Sequence, residues 1–166
     1  MLRYYANRPY VTFAYVACTV PDIMNEKNIL AAQLLTYTGI IPFLFLGMAV
    51  ALRASGLDYS LTLFAYGAVI ISFLCGIHWA VFLFFSQNCS RNLLFHSNAI
   101  SLLGWLSVLP VMSYLTFALQ ILCFLYLVIL DLELYRNKVI PLWFFHLRLN
   151  ATIVVILLLF ITACYS

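Results

Sequence analysis

At 166 residues, 66% hydrophobic and 8% charged, with a mean hydropathy of +1.08, the chain excludes an ordinary soluble domain. The net charge of +3 has no soluble surface to project from, which excludes a nucleic-acid partner and leaves topology and lipid headgroup contact as its meaning. The expected class is all-α, an integral membrane bundle of about five transmembrane helices whose first partner is the lipid bilayer.

Residues 1–29 form a segment of open character. It holds Arg3 and Arg8, no acid before Asp22, and an apolar stretch over residues 11–20. A mitochondrial transit peptide is a poor fit, because the segment has no serine. An interfacial segment would set Tyr4, Tyr5, Tyr10, Phe13 and Tyr15 at headgroup level. A natural start at Met24 is the third reading, since Met24-Asn25-Glu26-Lys27 leads straight into an apolar helix.

Residues 30–166 form the membrane domain. Residues 28–52, 59–90, 92–130 and 149–166 each lack Lys, Arg, Asp and Glu. A bilayer core of about 30 Å takes about 20 apolar residues as a helix, so single spans are expected over residues 30–51, 61–85 and 149–165. The run 92–130 would extend about 58 Å as one helix. Leu109-Pro110 interrupts it, because proline removes a donor and disfavours helix just before it. Folding back there gives spans over residues 92–109 and 112–130.

Charge supports that division. Five spans gather Arg3, Arg8, Lys27, Arg91, Arg136, Lys138 and Arg148 on one side, leaving Arg53 alone on the other. Four spans would split the eight bases evenly. The positive-inside rule therefore favours five spans, with the N-terminus inside and the C-terminus outside.

In the second span Ala68, Ser72, Gly76 and Ala80 recur every fourth residue and form one small-residue stripe. Such stripes let helix backbones approach closely in lipid. The expectation is a packing hub inside a monomeric bundle, with a homodimer interface as the alternative. His78 lies about 140° round the helix from that stripe, on a face with Gly67, Ile71 and Leu74.

Polar residues crowd one leaflet. Gln33, Tyr37, His78, Asn98, Asp131 and Arg148 make a candidate polar ring in the inner half. Asp131 and Arg148 are expected to pair and tie the fourth span to the fifth. A neutral His78 bonded to backbone or to Tyr37 is the expected structural role. Gln120 falls near the middle of the fourth span.

Cofactor ligation is not expected. His96 and His146 lie at helix entries, about 10 Å shallower than His78, and no paired metal motif is present. Five scattered cysteines show no C-x-x-C spacing. No G-x-S-x-G, H-E-x-x-H or glycine-rich phosphate loop occurs, so no catalytic residue is assigned.

Three stretches carry a resemblance. These are Thr38-Gly39-Ile40-Ile41-Pro42-Phe43, the run from Tyr66-Gly67-Ala68 to Gly76-Ile77-His78-Trp79, and Pro141-Leu142-Trp143-Phe144-Phe145-His146-Leu147-Arg148. Over roughly residues 30–160 the chain resembles a family of small integral membrane proteins of unknown function that includes vertebrate transmembrane protein sixty-nine. Asp131 matches an acid that family carries at the end of its fourth helix, while Cys75 stands in place of a glycine. The resemblance implies about five helices in a bacterial inner membrane or a mitochondrial inner membrane, and no activity. The expected function is a non-enzymatic membrane subunit or assembly partner, engaging a membrane protein or a second copy. The alternative is a small transporter or lipid-binding protein using the polar ring.

Overall fold

A computed structural model describes residues 25–56, 58–109 and 113–165. The readings of residues 1–24 lie outside them. The elements are α1 (Glu26–Thr38), α2 (Ile41–Ala51), α3 (Tyr59–Phe85), a 3-10 turn (Ser86–Asn88), α4 (Leu93–Leu106), α5 (Ser113–Arg136) and α6 (Leu142–Tyr165). No strand occurs among the described residues. The fold is the expected all-helical bundle, with four stretches long and apolar enough to cross a membrane: Glu26–Ala51, Tyr59–Asn88, Tyr114–Arg136 and Leu142–Tyr165.

Short polar residues start the helices. Asn25, Asp58 and Asn92 each accept a backbone N–H from the first turn, at Lys27, Leu61 and Phe95. Two helices end on a base in the left-handed region, Arg53 at φ 51° after α2 and Lys138 at φ 58° after α5. In each the next residue reaches back across the turn, Ala54 N–H to Ala49 and Val139 N–H to Leu134. A side chain there costs roughly 1–2 kcal/mol relative to glycine. A positive charge at the negative end of the helix dipole offsets part of that.

The first apolar stretch is broken at Gly39 and Ile40, just ahead of Pro42. The Tyr66 hydroxyl donates to the Gly39 carbonyl at 2.8 Å, so α3 satisfies a backbone group at the break. In an apolar solvent such groups need an internal partner.

Neighbouring segments alternate in direction. Ser101 meets Ser72 while Gln120 bridges Ser107 and Phe64, so α4 runs back along α3. Arg91 pairs with Glu133, and Tyr126 bonds His96, so α5 returns along α4. At one end, therefore, lie Arg91, Arg136, Lys138 and Arg148; at the other lies Arg53. Close approaches are made where side chains are small. A Cβ on Gly104 would sit 3.0 Å from Ile71, and one on Gly47 would sit 2.7 Å from the Thr162 hydroxyl.

The main core joins α2, α3, α5 and α6 through Phe43, Leu63, Ile71, Phe117, Phe124, Leu127 and Leu159. Phe64 meets Phe117 edge to face at 4.7 Å, and Phe43 meets Tyr66 at 5.0 Å. A second cluster of Leu93, Leu130, Leu134 and Ile140 closes the basic end. Large apolar residues such as Phe45, Phe73, Phe84 and Phe160 face outward, as lipid-facing positions require.

Three helices differ in extent from the sequence expectation. α4 has 14 residues, about 21 Å long, well short of the hydrocarbon thickness. α6 begins right after Pro141 rather than near residue 149, and α5 continues past Asp131 to Arg136. Asp131 and Arg148 are thus carried inside the bundle, at 3% and 7% exposure, instead of resting at its rim.

Candidate functional site

A charged cluster forms where α3, α5 and α6 meet. α3 buries the face that carries Leu63, Phe64, Gly67, Ala68, Ile71, Cys75 and His78, which sets the His78 ring inward at 0% exposure. Its Nδ1 lies 3.0 Å from the Leu74 carbonyl one turn earlier. Its Nε2 lies 3.0 Å from Asp131 Oδ1. The second carboxylate oxygen of Asp131 accepts from Arg148 twice, from Nε and from Nη2, both at 3.0 Å.

Hydrogen-bond logic constrains the histidine. A carbonyl can only accept, so Nδ1 is the donor toward Leu74. Nε2 faces a carboxylate oxygen, and that contact needs a proton of its own, carried on the ring or on the carboxyl group. The cluster therefore ties α3 to α5 through the histidine and α5 to α6 through the arginine. Both ring nitrogens are engaged, leaving no lone pair for a metal. Groups of His, Cys, Asp and Glu able to hold a metal are absent among the described residues.

Of the six ring residues, the structure brings three together: His78, Asp131 and Arg148. Gln33 is half-buried on α1, and Tyr37 is exposed one turn on. Asn98 is exposed and donates to the Leu94 carbonyl of its own helix. His78 finds Asp131 rather than Tyr37. The Asp131–Arg148 pair forms across α5 and α6 as expected.

A second polar node lies farther along α5. Gln120 is fully buried, and its Nε2 donates to the Phe64 carbonyl at 2.7 Å and to Ser107 Oγ at 2.9 Å. Its Oε1 has no hydrogen-bond partner among the described residues and fills the space a side chain on Gly67 would need. This node locks the far end of short α4 to both its neighbours. Asp131 and Gln120 are about 16 Å apart along the helix, with the apolar side chains of Phe124 and Leu127 buried between them.

The stripe of α3 departs from its expected role. Ala68 is buried, but Ser72, Gly76 and Ala80 face outward. A Cβ on Gly76 would meet nothing within 4 Å among the described residues. The hub of the bundle is the neighbouring face, through Gly67, Ile71, Cys75 and His78. Small size at period four marks where a helix can be approached, not which helix approaches it. Ser72 keeps one contact, 3.1 Å to the Ser101 hydroxyl of α4.

The three side chains of the charged cluster are all buried. A cleft of about 270 Å³ opens instead at the opposite end, beside Arg53, Asp58, Tyr59 and Tyr165.

Comparison with known proteins finds one family, described as a protein of unknown function (DUF3429), whose model matches residues 29–164. No curated protein and no solved structure matches the chain.

Proposed function

Because the chain belongs to the DUF3429 family of proteins of unknown function, we propose a role that calls for no chemistry: a non-enzymatic membrane subunit or assembly partner. The observation that carries it is the outward stripe Ser72, Gly76 and Ala80 on α3. Beside it, Ser101 and the exposed amide of Asn98 on α4 offer polar contacts. A small-residue groove edged by hydroxyl and amide groups suits a transmembrane helix of a partner protein, because close backbone approach and interhelical hydrogen bonds drive association in lipid.

The charged cluster serves this role as a lock that holds α3, α5 and α6 in one arrangement. The finer likeness to transmembrane protein sixty-nine, and a place in a bacterial or mitochondrial inner membrane, rest on the three sequence stretches. Seven of eight bases on one side support an inward basic end and an outward C-terminus. The transporter or lipid-binding alternative draws on the same buried ionisable groups. It requires the cluster to open, whereas its three side chains satisfy one another.

Purification in mild detergent tests the assembly role with Gly76→Leu, which adds bulk where the fold leaves open space. The wild type should bring a stoichiometric membrane protein that the variant loses while melting at the same temperature. A wild-type monomer with no companion would refute the reading. A wild-type dimer dispersed by the variant would replace it with self-association.

A further inference from the structure

The cleft at the Arg53 end lies where α2 and α6 finish and α3 begins, so it opens at the surface of the apolar bundle. Tyr59 and Tyr165 line it, and tyrosines at the ends of membrane helices sit at headgroup depth. Its volume of about 270 Å³ equals roughly nine waters, at about 30 Å³ each. That is room for a phosphate with a short arm.

The charges in this cleft are one of each sign. Arg53 has no ion pair among the described residues, and its left-handed backbone turns the chain at the cleft wall. Asp58 holds one carboxylate oxygen on the Leu61 N–H at 2.9 Å, which fixes the group in place as the cap of α3. Its other oxygen makes no hydrogen bond among the described residues. Ser60 adds a hydroxyl to the wall. A simple anion would meet Asp58 as well as Arg53, and a simple cation the reverse.

We propose that this cleft seats the headgroup of a zwitterionic phospholipid, a phosphate diester carrying an ammonium group. The phosphate pairs with Arg53 and the Ser60 hydroxyl. The ammonium pairs with Asp58 and with the tyrosine rings, which attract cations. The acyl chains then continue along the exposed apolar surface below. This site lies at the opposite end from the charged cluster and does not depend on the assembly role.

Native mass spectrometry of the full chain, released from detergent after exposure to phosphatidylethanolamine or phosphatidylglycerol, tests it. The wild type should retain phosphatidylethanolamine in preference. Arg53→Gln should lower that retention about fivefold, the upper range for an exposed ion pair. Asp58→Asn keeps a good helix cap but removes the charge, so it should weaken phosphatidylethanolamine and strengthen phosphatidylglycerol. Lys138→Gln, at the other end of the bundle, should change neither. Equal retention of the two lipids by the wild type, or an unchanged preference in Asp58→Asn, would overturn the proposal. Displacement of the lipid by an equimolar soluble headgroup, glycerophosphoethanolamine, would also overturn it, because the cleft would then read a free metabolite.

Discussion

Replacing Asp131 with asparagine removes one charge from the bundle interior at nearly constant volume. Arg148 loses its counter-charge at 3.0 Å while its side chain stays 8% exposed. His78 loses the carboxylate at Nε2. At an effective dielectric constant of about 20, opposite charges at that separation attract by about 5–6 kcal/mol. Measured losses on breaking one side of a buried pair run about 3–5 kcal/mol, because the remaining charge is stranded. The expected cost is that lower range, and for a chain of this length it lowers the melting temperature by about 6–20 °C. A thiol-reactive dye reads the transition through Cys75 and Cys123, which are buried and free, once Cys18, Cys89 and Cys164 are serine. The double change Asp131→Leu with Arg148→Met removes both charges and should recover most of the loss, since apolar replacement of a whole buried pair is near neutral. A single variant melting within about 1 °C of the parent, or a double variant no better than the single, would refute the account of the cluster as a structural lock.

Two further outcomes follow from the geometry. Gly67→Ala should cost about 1–3 kcal/mol by overpacking, since its Cβ would collide with the Gln120 amide. The same change in a Gln120→Ala background should cost less, and equal costs in the two backgrounds would show that the amide is not the obstacle. Cys89 should alkylate more slowly than exposed Cys164 at neutral pH, because burial and then the Glu133 carboxylate push its thiol above the ordinary value and leave less thiolate. Its rate should climb as pH rises past the ordinary thiol range. An impermeant maleimide should reach the two cysteines from opposite sides of sealed vesicles, and labelling of both from one side would exclude five crossings.

The polar residues were more legible in the sequence than the apolar ones. Asp131 and Arg148 stand out because ionisable groups are rare in such a chain, and their pairing follows from sharing one end of two consecutive helices. The contact from His78 to Asp131 spans 53 positions, and nothing in local spacing marks it. Gln120 was visible as a mid-span amide, but its contact with Gly67 depends on how α5 crosses α3. Small residues misled most. Ala68 is buried and Gly76 exposed, though both belong to one stripe.

Sequence alone determined that this chain belongs to the membrane, where its apolar stretches fall, and which bases flank them. Those properties follow from the cost of transferring charge and backbone into hydrocarbon, a cost each segment bears separately. Tertiary structure decided which face of each helix turns inward, how far α4 extends, and that His78 completes the charged cluster. In lipid the outside of a helix is as apolar as its core side, so hydrophobic periodicity carries little of that information. Only specific contacts, the Gln120 amide on the bare backbone of Gly67, Ile71 on that of Gly104 and His78 on Asp131, select the packing.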